Sequence, residues 1–117
     1  MTVWLHERMK DLISDERCEK AMLYLSDTDE EAAVAKAKAK ALEQYGKTVK
    51  AFGFLDASGT VAEREAQALT SDQYEAYLKK YEQAVMESER FANKRATEAG
   101  VREVWRSLQA NRRQGAS

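Results

Sequence analysis

The chain has 117 residues, no proline and a formal net charge of −1. That length supports one domain or one extended helical unit, and the near-neutral balance excludes a global field that attracts nucleic acid or membranes. The absence of proline and the 33% share of charged residues favour a few long helices joined by short turns.

The N-terminal segment predicts one or two short helices. An apolar stripe over 3–13 indicates the first helix, and Ser14–Asp15 is an N-cap signal for a second one, although the two helices can also be one bent helix. The second helix presents three residues on one face, Cys18, Met22 and Leu25. Ser26–Asp27 is expected to end this segment.

A long helix is predicted from Thr28 to about Phe54. Thr28 and Glu31 form a capping box at its start. The alternation of lysine and alanine over 35–41 resembles a strand pattern, but both residue types are good helix formers and poor strand formers. The apolar stripe expected to form the helix contact is Val34, Ala37, Ala41, Tyr45, Val49 or Thr48, Phe52 and Leu55.

A turn at 56–60 and a second long helix follow. Thr60 with Glu63 forms another capping box at the end of the turn. The helical pattern then continues to about Arg113, with a step at 70–72.

The predicted fold class is all-α. It is a long antiparallel, coiled-coil-like helical hairpin over 28–113, preceded by the short helices of 1–27 and followed by a frayed tail of 114–117. The second arm would span on the order of 60–75 Å at ~1.5 Å per residue, which the first arm cannot cover. Either the N-terminal helices or a second copy of the chain must cover the remainder, and we favour a homodimer.

The cysteine content and the apolar runs indicate the compartment. A single cysteine excludes an intrachain disulfide and suits a reducing cytosol. The apolar runs are too short for a membrane span, and the N-terminus has no signal-peptide pattern. We therefore expect a protein of the cytoplasm of the producing cell, or of a host, without a membrane partner.

No catalytic or metal site emerges from the residue types. His6 is the only histidine, and no acidic residue is specially placed to orient it against Cys18 as a nucleophilic pair. One histidine and one cysteine leave a zinc site without enough ligands, and phosphate-binding glycine loops are absent. We expect no enzymatic activity, no cofactor, no metal and no small-molecule substrate.

A basic stripe lies on the C-terminal part of the second arm. Four arginines follow one another at spacings of seven, four and seven residues, which keeps them within roughly 20° of one line along a helix. Guanidinium groups in a row suit phosphate backbones or an acidic protein groove. The candidate nucleic-acid or acidic-partner residues are Arg95, Arg102, Arg106, Arg112, Arg113 and Trp105.

Other interpretations of the stripe stay open. The arginines can form a solvated face, or they can pair with acids such as Glu98 and Glu103. The apolar stripe that begins at Tyr74 leads by heptads to Arg95 and Arg102, so these charges are either buried against carboxylates or face a partner. A weaker second basic patch consists of Lys36, Lys40, Lys47 and Lys50.

Two stretches carry a resemblance to known proteins. Residues 50–64 read Lys-Ala-Phe-Gly-Phe-Leu-Asp-Ala-Ser-Gly-Thr-Val-Ala-Glu-Arg, and 104–113 read Val-Trp-Arg-Ser-Leu-Gln-Ala-Asn-Arg-Arg. They resemble short phage and prophage proteins that share a Gly-Thr-Val-Ala-Glu-Arg turn and a closing Trp-Arg-Ser-x-x-Ala-Asn-Arg-Arg. The resemblance covers roughly residues 36–113. Such proteins are usually encoded among early phage genes near recombination or single-strand-annealing functions, so the resemblance implies helices and a DNA context, without catalytic residues.

These observations lead to one leading hypothesis and two alternatives. The leading hypothesis is a non-enzymatic phage accessory protein of DNA recombination or replication, which binds single-stranded DNA or a DNA-processing protein through the basic helix face. The first alternative is a protein-only adaptor or inhibitor of a host factor, whose acidic groove meets the arginines. The second is a structural helical dimer in which the arginines are internal ion-pair partners.

Overall fold

The structure, a computed structural model, describes residues 13–116. These residues form three α-helices, and no β-strand occurs among them. The helices are α1 (Asp15–Asp56), α2 (Val61–Leu69) and α3 (Asp72–Ala116). The prediction of an all-α fold is confirmed. The helix predicted over 3–13 lies almost entirely outside the described residues.

Ser14 caps the N-terminus of α1, as the sequence predicts. The backbone N–H of Arg17 donates to Ser14 Oγ over 3.1 Å, which satisfies one of the amide donors that a helix start leaves unpaired. Asp15 and Glu16 follow in the first turn, where the helix dipole stabilises negative charge.

The helix start predicted at Thr28 is wrong, because α1 continues without a break through Ser26–Asp27 and beyond. The Thr28 hydroxyl donates to the Tyr24 carbonyl over 2.6 Å, a bond that threonine makes within a helix and not at its N-cap. The same hydroxyl oxygen accepts a hydrogen bond from Arg95. The capping sequence is not used as a cap because both hydrogen-bonding functions of this side chain are engaged elsewhere.

A turn at 57–60 follows α1. Gly59 has a φ of 115°, a conformation that glycine adopts without the strain that a Cβ atom would cause. Thr60 Oγ1 accepts a hydrogen bond from the Glu63 N–H over 3.2 Å and caps α2. The predicted turn and the predicted cap are confirmed.

A step at Thr70–Ser71 separates α2 from α3, as the sequence predicts. Ser71 Oγ accepts a hydrogen bond from the Tyr74 N–H over 3.2 Å at the start of α3. The third helix then extends to Ala116, whereas the sequence predicts a helix end near Arg113.

Two compact units share the long helices. The first, here called the terminal unit, comprises Met1–Glu30 and Phe91–Ser117, and the second, the central unit, comprises Glu31–Arg90. In the terminal unit, the N-terminal part of α1 contacts the C-terminal part of α3. The N-terminal segment therefore covers part of the long second arm. This is one of the two predicted possibilities, the other being a second copy of the chain.

Each long helix carries one row of buried and half-buried residues at alternating spacings of three and four, the spacing of a coiled coil. In α1 these residues are Cys18, Ala21, Leu25, Thr28, Ala32, Ala35, Ala39, Leu42, Gly46, Val49 and Gly53. In α3 they are Tyr74, Tyr77, Tyr81, Ala84, Ser88, Phe91, Arg95, Glu98, Arg102, Trp105 and Gln109. The pattern in α1 is dominated by small residues.

The helix contact of the central unit brings glycine and tyrosine together. A Cβ atom built on Gly46 would lie 2.5 Å from Tyr77 Oη, and the Tyr77 hydroxyl donates to the Leu42 carbonyl over 2.5 Å. The rings of Tyr74 and Tyr81 stack on that of Tyr77, with centroids 5.8 and 6.1 Å away. The rings of α3 thus occupy the space that the small residues of α1 leave.

The apolar stripe predicted for the α1 contact is mostly exposed, so that prediction is wrong. The four largest exposed members, Val34, Tyr45, Phe52 and Leu55, keep 61%, 53%, 60% and 73% of their surface. Val49 is the half-buried member of the stripe. The reason is steric: the tyrosines of α3 require small residues opposite them, so the larger apolar side chains of α1 lie on a neighbouring flank.

Candidate nucleic-acid interface

Arg95, the first arginine of the predicted stripe, lies inside the helix contact of the terminal unit. Its Nη1 donates to the Leu25 carbonyl and to Thr28 Oγ1, each over 2.8 Å. Its Nη2 forms an ion pair with Asp29 Oδ1 at 3.0 Å. Because the guanidinium is directed at α1 through both terminal nitrogens, Arg95 joins the two helices and does not belong to an outward surface.

A second ion pair connects the same helices and was not predicted from the sequence. Glu98 is buried and receives the Arg17 guanidinium at 2.7 and 3.0 Å. The hydrogen bond to Glu98 raises the pKa of Arg17 above its ordinary value, so the cation is retained. The sequence predicts that Glu98 can pair with an arginine of the basic stripe, but its partner in the structure is Arg17 on α1.

Arg102 and Arg106 share one acidic neighbour on their own helix. Glu103 Oε1 lies 3.6 Å from Arg102 Nη2 and 3.5 Å from Arg106 Nη1. Arg106 is exposed, whereas Arg102 is half-buried, and among the described residues its Nε is a buried donor without a hydrogen-bond partner. One carboxylate between two guanidinium groups leaves a local excess of positive charge.

Trp105 is also held by α1. Its Nε1 donates to Asp15 Oδ1 over 2.8 Å, and Gln109 Nε2 approaches the same oxygen at 3.3 Å. The ring is half-buried, so Trp105 contributes to the contact between α3 and α1 and not to an outward surface. Farther along α3, Arg112 and Arg113 are exposed.

Charge is distributed unequally between the two helices of the terminal unit. From Asp15 to Glu30 the chain carries six acidic and two basic residues, and from Phe91 to Arg113 it carries six basic and two acidic residues. Contacts such as Arg95–Asp29 use part of this complementarity. No acidic residue follows Glu103 in the sequence, so positive charge dominates the last turns of α3.

The second predicted patch lies in the central unit. Its four lysines, Lys36, Lys40, Lys47 and Lys50, are exposed on α1. Lys50 Nζ lies 5.6 Å from the centroid of the Tyr74 ring, within the range of a cation–π contact. A role of this patch in binding stays a prediction.

Residues 13–116 contain no group of three or more His, Cys, Asp or Glu side chains that could hold a metal ion. The thiol of Cys18 is buried, and His6 lies outside the described residues. Across the same part of the chain, no helix combines the length and the apolarity that crossing a bilayer requires.

Comparison of the chain with protein-family models, with curated proteins and with solved structures gives no match. The resemblance to short phage proteins therefore stays an expectation.

Proposed function

We propose that the chain is a non-enzymatic accessory protein that binds single-stranded DNA through the C-terminal basic surface, defined as Arg102, Arg106, Arg112 and Arg113. The observation that carries the proposal is the charge of α3 after Glu103, where arginines are present and acids are absent. Arg106, Arg112 and Arg113 are exposed. Exposed guanidinium groups are accessible to phosphates, and the ion pair that Arg106 forms with Glu103 is itself exposed.

Arg95 and Trp105 are excluded from this binding set. Both side chains are bonded to α1, and a ligand would have to displace those bonds. They act as supports that hold α3 against α1. The phage-like motifs at 50–64 and 104–113 add a DNA recombination or replication context to the proposal, in the cytoplasm of a bacterial host.

The test is a titration of a labelled single-stranded oligonucleotide, followed by fluorescence anisotropy at about 50 and about 200 mM salt. Each phosphate contact on a single strand contributes about 0.7 to the slope of log K against log salt. The triple variant Arg106→Ala, Arg112→Ala, Arg113→Ala should therefore lose about 2 from that slope and bind roughly tenfold or more weakly at the lower salt.

A matched control removes the same number of charges from the second patch, as Lys36→Ala, Lys40→Ala, Lys47→Ala. This variant should keep most of the affinity. Equal losses of affinity in the two variants would show that binding depends on the charge of the whole chain and not on this surface. Absence of binding by the wild-type protein at the lower salt contradicts the proposal and favours an acidic protein partner, as in a DNA-processing complex or a host-factor inhibitor.

We also propose that the chain forms a homodimer. The support is the exposure of large apolar side chains, of which Leu55, Val34 and Phe52 each keep more than half of their surface. Such residues on a monomer usually mark an interaction site. Dimerisation and DNA binding are separate proposals, because the apolar residues lie in the central unit and the basic surface in the terminal unit.

A further inference from the structure

One flank of α1 in the central unit is exposed and almost uncharged. We call it the α1 face, and it consists of Val34, Ala37, Lys38, Ala41, Gln44, Tyr45, Thr48, Ala51, Phe52 and Leu55. All ten residues are exposed, and Lys38 is the single charged residue among them. In a chain of which 33% is charged, a flank selected for contact with water would carry about three charges in ten positions.

The charges of this stretch are found on other sides of the same helix. Lys36, Lys40, Glu43, Lys47 and Lys50 are all exposed and all lie outside the α1 face. The helix therefore separates a solvated side from an apolar side, in addition to the side that packs against α3. A helix with two apolar sides is suited to two partners.

The core of the central unit cannot account for these apolar residues. Its buried positions are Ala35, Gly46, Ala68, Tyr77 and Ala84, so small side chains dominate. Apolar burial contributes about 25 cal/mol per Å², and the larger side chains of α1 contribute little of it within one chain. The large apolar side chains of the α1 face therefore stay exposed within one chain.

We infer that the α1 face binds the α1 face of a second copy, antiparallel, across a twofold axis close to Tyr45. This inference rests on the homodimer proposed above and is independent of DNA binding. The face is centred between Gln44 and Tyr45, so an antiparallel pair places Val34 opposite Leu55 of the second copy. An isologous interface requires such a self-complementary surface.

Side-chain sizes along the α1 face fit this register. Phe52 of one copy comes opposite Ala37 and Lys38 of the other, where a small residue makes room for the ring and the lysine can lie over it. Ala41 comes opposite Thr48. The largest ring away from the axis therefore meets a small residue, Val34 meets another aliphatic side chain, and the single charge of the face lies beside an aromatic ring.

The area available agrees with a dimer of modest affinity. The face extends over ~32 Å from Val34 to Leu55 at ~1.5 Å per residue. Grooves of about 610 and 690 Å³ lie beside it between α1 and α3, and Tyr45 lines both. A width of roughly 20 Å, two helix diameters, gives on the order of 600 Å² per copy, compared with about 800 Å² in a standard interface. We expect a dissociation constant in the micromolar range.

The test measures the mass in solution over a wide range of protein concentration by sedimentation equilibrium. The wild-type protein should approach twice its chain mass of 13.3 kDa. The double variant Tyr45→Glu, Phe52→Glu should have a dissociation constant raised tenfold or more, so that it is largely monomeric at concentrations at which the wild type is dimeric. Met86→Glu is the control, because Met86 is an exposed apolar residue on α3 outside the α1 face and its variant should dimerise like the wild type.

A cross-linking experiment tests the register. In a Cys18→Ala background, Tyr45→Cys should form a disulfide-linked dimer rapidly, since its Cβ atoms approach across the axis. Val34→Cys should not, because the two copies of Val34 would be ~32 Å apart. Circular dichroism confirms that each variant stays helical.

The outcomes separate the proposals. A wild-type protein that stays monomeric at hundreds of micromolar overturns both the homodimer and the inferred interface, and the oligonucleotide titration still decides DNA binding. A dimer that is unaffected by the double variant, or that cross-links equally through Val34→Cys, overturns the α1 face as its interface and leaves the homodimer standing.

Discussion

At the scale of single residues, the terminal unit depends on ion pairs that connect its helices. Glu98 is buried and Arg17 is partly covered, so removal of one partner leaves the other with its desolvation cost and without its bond. By contrast, Glu103 and Arg106 are largely exposed and Arg102 is half-buried, and ion pairs of an exposed carboxylate contribute little.

Glu98→Ala is therefore expected to lower the free energy of unfolding by about 2 kcal/mol. The matched variant Glu103→Ala should change it by less than about 1 kcal/mol. Urea unfolding followed by circular dichroism measures both values. Similar losses in the two variants would mean that the buried pair has no special role.

Tyr77 makes stability sensitive to alkaline pH. Burial raises the pKa of its phenol above the ordinary value, and Tyr81 and Tyr74 raise it further. Because the folded-state pKa is the higher one, its stabilising effect is complete below the unfolded-state pKa of about 10 and is lost as the pH rises through the folded-state pKa. The free energy of unfolding should fall above about pH 10.

The variant Tyr77→Phe should show a shallower alkaline decrease, after an initial cost of about 1 kcal/mol for the lost hydrogen bond to Leu42. Unfolding curves at about pH 8 and about pH 10.5 measure both effects. Tyr24→Phe is the control, since Tyr24 lies in the terminal unit and outside the group of stacked rings around Tyr77, and its pH dependence should match that of the wild type. An unchanged alkaline decrease in Tyr77→Phe would assign the effect to other groups.

At the scale of secondary-structure elements, two helical glycines have opposite surroundings. Gly46 lies against the Tyr77 ring, whereas nothing lies within 4 Å of a Cβ atom added to Gly100. Alanine is favoured over glycine inside a helix by about 0.8–1.0 kcal/mol. At Gly46, packing against Tyr77 therefore decides whether alanine raises or lowers the free energy of unfolding. At Gly100, no contact opposes the stabilising effect of alanine.

We expect Gly100→Ala to raise the free energy of unfolding by about 0.5–1 kcal/mol. Gly46→Ala should lower it by about 1–3 kcal/mol, because the new methyl group displaces a ring that is itself bonded to Leu42. Thermal unfolding monitored by the helical circular-dichroism signal measures both. A stabilised Gly46→Ala protein would contradict the close contact.

Helix caps and turns were predictable because their signals are local. Ser14, Thr60 and Gly59 each act within a few residues of their own position, and the sequence contains everything that determines them. Thr28 shows the limit of such signals. Its capping box is intact in the sequence, but a tertiary contact with Arg95 and an unbroken helix override it.

The contacting side of α1 was not predictable by hydrophobicity. Val34, Phe52 and Leu55 are the obvious apolar residues, yet Ala35, Gly46 and their neighbours face α3. Which side packs depends on the shape of the opposite helix, and only the tyrosines of α3 explain why small residues are required. For the same reason, the sequence allowed two interpretations of Arg95, as an exposed side chain or as one paired with acids of the protein. Nothing in the sequence distinguishes between them.

At the scale of the whole molecule, the net charge of −1 conceals a marked segregation. Seven basic and two acidic residues lie between Arg90 and Arg113, which leaves twelve basic and eighteen acidic residues for the rest of the chain. A nearly neutral protein can thus have a basic surface on one helix end. The acidic remainder disfavours DNA binding elsewhere, which is consistent with a localised interface.

The contact between Gly46 and Tyr77 has a consequence for how the chain tolerates change in length. A slide of α3 by one heptad would bring the Tyr77 hydroxyl to Ala39 or Gly53, away from the Leu42 carbonyl that accepts its hydrogen bond. The pair therefore contributes to the alignment of the two helices in the central unit, together with the turn and α2 that connect them. An insertion or deletion in residues 57–60 that shifted α3 along α1 would therefore have to break the contact between Gly46 and Tyr77.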